Sequence, residues 1–190
     1  MDIEGKTFLV TGANSGLGAG VTNRLATGGA NVLGLDVNTD NATAFSDRYR
    51  DRVQLIKADV TSDKDGAAAI AHARHLFIGV NGLVNCAGIA PGQKIVGRSG
   101  AHDLDLFARA VSINLIGTFN MMRLAAEAMQ KNDPNPEGER GVIVNTASVA
   151  AYEGQIGQAA YAASKGGVVS LTLPAARELA RSGIRVMTIA

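Results

Sequence analysis

Residues 11–18 read Thr-Gly-Ala-Asn-Ser-Gly-Leu-Gly, and the apolar run Lys6 to Thr11 (KTFLVT) leads straight into them. A stretch of helical spacing, Ser15 to Gly28, follows at once. Glycine at 12, 16 and 18 lets the backbone turn tightly and lets a ligand's phosphates approach it closely. The N-terminus of the next helix adds unpaired N–H groups and a partial positive charge. A glycine-rich turn alone is a weak signal that a bland tight turn also explains, but its seat between a strand and a helix makes it a nucleotide-binding pattern. Gly12, Ser15, Gly16, Leu17 and Gly18 are its candidate contacts.

The same unit repeats outward along the chain. Apolar runs of strand length recur at Asn31 to Asp36, Val53 to Ala58, Gly82 to Cys86, Gly141 to Thr146 and Ile184 to Ile189. Between them helical spacing is visible at Thr39 to Arg50, Ser62 to Ile78, Asp103 to Lys131 and Ala159 to Arg181. Strands that are apolar on both faces and alternate with helices argue for a parallel sheet covered on each side. Right-handed crossovers then give an α/β, doubly wound Rossmann-type sheet. The polar segment Asn132 to Arg140, with two prolines, reads as an exposed loop. With no fixed-period repeat and no linker, residues 1–190 are expected to form a single nucleotide-binding domain.

Composition narrows the class of partner. Apolar residues make up 46% of the chain and charged ones 18%, which excludes a disordered polymer. Eighteen Lys and Arg stand against 17 Asp and Glu, so no basic face for nucleic acid or an anionic membrane is expected. One cysteine, Cys86, cannot make an internal disulfide, and the start MDIEGKTFLV lacks the features of a signal peptide. No apolar run nears the ~18 residues of a membrane span. These features predict a soluble intracellular protein, cytoplasmic by default.

The remaining candidates fall at strand ends. Asp36 closes the second strand near the ~20-residue offset at which a carboxylate accepts from an adenosine ribose. Its neighbours Val37 and Asn38, like Ser15, carry no positive charge, so a 2′-phosphate would meet an uncompensated carboxylate and NAD is favoured over NADP. A solvated strand-end Asp is the competing reading. Asp59 and Val60 close the third strand, where Asp59 serves equally well as a helix cap, and Asn85, Cys86, Ala87 and Gly88 close the fourth. Tyr161 and Lys165 stand four apart on one helix face. A neighbouring ammonium favours a phenolate and makes the phenol usable as proton donor and acceptor, although such a pair in isolation is usually surface decoration. Ser148, after the fifth strand, offers a hydroxyl to a substrate oxygen. His72 and His75 lack further ligands, so no metal is expected. Cys86 reads as packing rather than nucleophile, and Met121, Met122, Leu124 and Met129 as core or subunit contact.

Together, TGANSGLG, Asp59-Val60, NCAG at 85–88, Asn114, Ser148 and Tyr161-Ala-Ala-Ser-Lys165 resemble the short-chain dehydrogenase/reductase family in order and spacing. The resemblance implies that Tyr161 is the acid/base, that Ser148 orients the substrate oxygen and that Asn114 supports a water-linked proton relay. Lys165 then assists the tyrosine's ionisation and, with Tyr161, holds the nicotinamide ribose. The segment RGVIVNTASVAAYEGQIGQAAYAASKGG, Arg140 to Gly167, is similar to the type 2 3-hydroxyacyl-CoA dehydrogenases, which also act on hydroxysteroids. That likeness implies a 3-hydroxyacyl-CoA or hydroxysteroid substrate facing Gln155 and Gln158, and a homodimer or homotetramer built through the Asp103 to Lys131 and Ala159 to Arg181 helices. Family members continue past the sixth strand into a substrate-covering segment. The sheet is therefore expected to be truncated here, with Ile184 to Ala190 as an exposed apolar edge. A catalytically silent NAD-binding or scaffolding protein is the alternative reading of such a chain.

Overall fold

The computed structural model describes residues 1–190. In chain order they form β1 (Thr7–Thr11), α1 (Gly16–Thr27), β2 (Asn31–Asp36), α2 (Ala42–Tyr49), β3 (Val53–Lys57), α3 (Asp63–Leu76) and β4 (Gly82–Asn85). A small hairpin of β5 (Val96–Gly97) and β6 (Gly100–Ala101) comes next, followed by α4 (Leu104–Val111) and α5 (Gly117–Met129). The chain then runs through β7 (Gly141–Thr146), α6 (Ala150–Glu153), α7 (Ala159–Leu179) and β8 (Ile184–Ile189). Six strands make one parallel sheet in the order β3-β2-β1-β4-β7-β8.

The inner strands β2, β1, β4 and β7 bury both faces because alternate side chains feed two different cores. Leu9, Leu33, Leu83 and Ile143 lie in register and are fully buried against Ala69 and Ala73 of α3 and Met121, Ala125 and Met129 of α5. Val10, Val32 and Val84 face the other way, toward Ala26 of α1 and Phe45 and Tyr49 of α2. Each fully buried Leu or Ile contributes about 1.5–3 kcal/mol, so the two-sided pattern selects this layered packing over a one-faced sheet. Local signals agree: Ser62 accepts from the Asp65 N–H to cap α3, whose first turn holds Asp63 and Asp65 and whose last holds Arg74 and His75.

The structure departs from the sequence reading in four places. The run from Asp103 to Lys131 is not one regular α-helix, since residues Ser112–Ile116 form a π turn between α4 and α5. The hairpin and α6 are too short to leave a periodic trace. The loop after α5 is pinned rather than simply exposed: Asn132 Nδ2 donates to the Val80 and Arg140 carbonyls at 2.7 and 3.0 Å. On the edge strand β8, Ile184 and Val186 are buried while Met187 and Ile189 face outward, so only one face of it is an open apolar surface. No helix is long and apolar enough to cross a membrane.

Candidate active site

The chain leaves β1 toward one flank of the sheet and β4 toward the other, which opens a crevice at the carboxyl ends of these neighbouring strands. Thr11 stitches the crevice together, its Oγ1 accepting from the Cys86 and Ala87 N–H groups at 3.0 and 3.1 Å. Gly12 stands at φ +65°, and a Cβ there would sit 2.8 Å from Ala87 N. Ser15 makes no side-chain capping bond to α1, so the first-turn amides are left for an incoming acceptor. Gly16, at φ +52°, borders open space.

These groups edge a cleft of about 590 Å³. Gly12, Ser15, Gly16, Leu17 and Gly18 line it on one side, with Asp36, Asp59, Val60, Ala87 and Gly88 around the rest. Asp36 is a fixed group rather than a loose strand end: its Oδ2 accepts from the Asn14 N–H at 3.0 Å and its Oδ1 from that of Asn38 at 3.1 Å. Asp59 lines the cleft but does not cap α3, which Ser62 does: its Oδ1 accepts from the Thr61 N–H and hydroxyl in the turn ahead of that cap. Asn85 lies elsewhere. Its side chain is buried in the sheet and donates to Asn145 Oδ1 at 2.9 Å, so it braces the strands from behind the cleft. Open space, free amides and a fixed carboxylate suit an adenosine diphosphate group.

Sequence reasoning missed part of the lining. Ile89, Arg109 and Ile113 also line it, and Cys86, packed against the core as expected, contributes to the lining as well. Burial pushes the Cys86 thiol up to about 11, more than the nearby Lys165 lowers it, so it stays protonated. Helical spacing puts Arg109 and Ile113 on one face, but nothing local says that a cleft lies against that face.

A second group gathers around α7. The Lys165 ammonium is buried, donates to the Thr146 carbonyl at 2.6 Å and lies 5.9 Å from the Tyr161 ring centroid. Burial holds its pKa below the ordinary lysine value, with Cys86 a smaller opposing influence. Asn114, fully buried in the π turn, accepts from the Ile89 N–H and donates to the Ile89 carbonyl, both at 2.8 Å. It also donates to Ser164 Oγ at 2.9 Å, and Ser164 donates to the Tyr161 carbonyl at 2.7 Å. One amide thus ties the loop after β4 to the Tyr161 turn of α7. A Cβ on Gly88 would stand 3.1 Å from Asn114 Oδ1 and 3.7 Å from Lys165 Nζ, so the cleft's edge reaches this group. Neither Tyr161 nor Lys165 lines the 590 Å³ cleft itself. Ser148 Oγ accepts from the Ala150 N–H at 3.2 Å, which leaves its proton free to donate.

Gln155 and Gln158 edge a separate cavity of about 420 Å³ with Lys94, Val96 and Ile156. Gln158 Oε1 accepts from the Gln155 N–H at 2.9 Å, which leaves its NH₂ and one lone pair of the oxygen for another partner. The Gln93 N–H donates to the Gly157 carbonyl at 2.8 Å and holds the hairpin side against this loop. His72 Nε2 lies 2.8 Å from Gln54 Oε1, a link from α3 to β3. A polar cavity of about 460 Å³, lined by Lys6, Asn81 and Glu137 among others, contains none of the candidate residues.

The sequence model of the short chain dehydrogenase family matches residues 6–190. The chain is 50% identical to the 3-hydroxyacyl-CoA dehydrogenase type-2 of Bos taurus, an alignment covering 99% of the chain and 73% of that protein. It is 48% identical to the protein of the same name from Drosophila melanogaster, covering 99% of the chain and 74% of that protein. Among solved structures it is similar to the 3-hydroxyacyl-CoA dehydrogenase type-2 from Mycobacterium avium, with a TM-score of 0.93 and 40% identity over 99% of the chain and 73% of the other.

Proposed function

The chain belongs to the short-chain dehydrogenase family, and from that premise we propose that it is an NAD-dependent oxidoreductase interconverting 3-hydroxyacyl-CoA and 3-oxoacyl-CoA. An oxidoreductase acting on a small molecule, in a family that generally uses NAD(H) or NADP(H), is the common ground. The observation that carries the finer reading is the buried Lys165 ammonium beside the Tyr161 ring, fastened through Thr146 to the strand that leads into Ser148.

In this reading Tyr161 takes the hydroxyl proton of the substrate during oxidation and returns one during reduction. Ser148 donates its free proton to the substrate oxygen and so orients the reacting carbon. The Lys165 ammonium attracts the negative charge that grows on the phenol oxygen, and Asn114 anchors the loop through which a water-borne relay reaches solvent. Bound nicotinamide supplies the hydride acceptor or donor. The glycine turn and Asp36 hold the adenosine end, Lys165 and Tyr161 the nicotinamide ribose.

Asp36 supports NAD over NADP, because Val37, Asn38 and Ser15 offer no cation to a 2′-phosphate. Replacing Asp36 with Ala removes a charge-assisted ribose contact of about 1.5–3 kcal/mol. It is expected to lower kcat/KM for NAD roughly ten-fold or more while leaving that for NADP unchanged or higher. An unaltered preference between the two cofactors would remove Asp36 from the selection.

An acyl-CoA is supported by the names of the relatives and by exposed Lys94 on the lining of the 420 Å³ cavity, with exposed Arg98 in the turn of the β5–β6 hairpin, which suit a phosphate-bearing substrate better than a neutral steroid. The test is turnover of a 3-hydroxyacyl-CoA, the matching pantetheine thioester and a hydroxysteroid with NAD. We expect the CoA ester to have the highest kcat/KM, and equal values for the two thioesters would count against CoA recognition. The exposed Ile116, Phe119 and Leu173 on the α4–α5 run and α7 support a homodimer through these helices, read as twice the 19.5 kDa chain mass by light scattering.

A further inference from the structure

One basic side chain lines the 590 Å³ cleft, Arg109 of α4, which shares that lining with Asp36 and Asp59. It is exposed and takes part in none of the four ion pairs, although Asp105 stands one helical turn before it. Ile113, one turn after it, lines the same wall, so the helix directs this face at the cleft.

The charge balance of the cleft makes that position informative. A dinucleotide brings an anionic pyrophosphate into a space already edged by two carboxylates. The amides at the start of α1 supply only a partial positive charge against it. A guanidinium without a carboxylate partner, on a long side chain at the cleft wall, is free to turn toward the phosphates and pair with them through two N–H groups.

We infer that Arg109 is a phosphate-side binding residue for the dinucleotide, a charge partner whose role is to offset the pyrophosphate in a cleft walled by Asp36 and Asp59. This rests on the proposal that the cleft takes an adenosine-containing dinucleotide. The guanidinium acts on binding and leaves the proton-transfer group around Tyr161 untouched.

Calorimetric titration of NAD, ADP and adenosine into the wild-type chain, Arg109→Ala and Arg109→Lys tests the inference. Because Arg109 is exposed and unpaired, the circular dichroism of both variants is expected to match the wild type. At low salt Arg109→Ala should bind NAD and ADP about ten-fold more weakly, while adenosine loses less than about two-fold. Arg109→Lys, which keeps the charge but not the two-point pairing, should recover part of the loss, and the difference should shrink as the Debye length falls toward about 3 Å near 1 M salt. Equal NAD affinity in wild type and Arg109→Ala would overturn the inference. So would an equal loss for adenosine and ADP that lysine does not repair, because that pattern belongs to stacking on the base. A wild-type chain that binds none of the three would overturn the dinucleotide reading and this inference with it.

Discussion

Tyr161→Phe is expected to lower kcat by about a thousand-fold, within the span that a positioned general acid/base contributes, while melting temperature stays close to wild type and NAD affinity falls far less than kcat, by the one ribose contact of the lost hydroxyl. The substitution removes one oxygen and keeps the ring. Lys165 lies 5.9 Å from that ring's centroid and is held by the Thr146 carbonyl, so its position does not depend on the phenol oxygen. The Ser164 bond to residue 161 is to the main-chain carbonyl and survives as well. What disappears is the group proposed to take the substrate's proton as hydride leaves. NADH formation at saturating NAD and substrate reads kcat, and calorimetry with NAD reads binding. Activity within about five-fold of wild type would require another acid/base and would sink the assignment, which no other side chain in this group fills as directly.

The companion substitution Lys165→Met would blur that test. It leaves the Thr146 carbonyl without its 2.6 Å donor and puts an apolar chain beside Cys86, so loss of activity would mix chemistry with local repacking. The oxygen deletion at Tyr161 is cleaner because the structure around it is held by main-chain and lysine contacts.

The parts of this molecule that were legible in the sequence are those decided by neighbours in the chain. The strands Asn31–Asp36 and Gly141–Thr146 lie where apolar runs placed them, since a strand buried on both faces needs an unbroken run. The glycine turn was legible for the same local reason. Asn114 was legible only as a residue type. Its π turn arises because its buried amide bonds to Ile89 and Ser164, partners 25 and 50 positions away, and helical periodicity carries no trace of them. Asn85 went astray in the same way: its strand-end position suggested the cleft, but a partner in β7 turns its side chain into the sheet. Arg109 escaped because an arginine on an amphipathic helix reads as solvent-facing until the fold sets a cleft against it. Gln158 does edge a cavity, but its place in the chain carries no sign that its Oε1 accepts from the neighbouring Gln155 N–H.

Gly16→Ala and Gly18→Ala are expected to separate binding from stability within one turn. At Gly18 an added Cβ would lie 2.0 Å from the Gly12 carbonyl oxygen and 2.5 Å from its carbon, both backbone atoms that no rotamer can move aside. Gly12 cannot retreat either, because at φ +65° it already packs on Ala87. Relief must come from opening the corner between β1 and α1, an overpacking cost of about 3 kcal/mol. For a chain of this length that is a melting temperature lower by roughly 10 °C, and the displaced turn should lose NAD as well. At Gly16 a Cβ would meet no atom within 4 Å, so only the left-handed φ of +52° resists it, at about 1 kcal/mol. Melting should fall by no more than about 4 °C. Yet the methyl group would project into the space where a pyrophosphate must approach the backbone, and NAD affinity should drop by at least about ten-fold. Differential scanning calorimetry and NAD titration on the two variants give the four numbers. Undiminished NAD affinity in Gly16→Ala would mean that the open space beside Gly16 is not where the phosphates go, and the glycine turn would revert to a folding device whose only strict demand is the contact between Gly12 and Gly18.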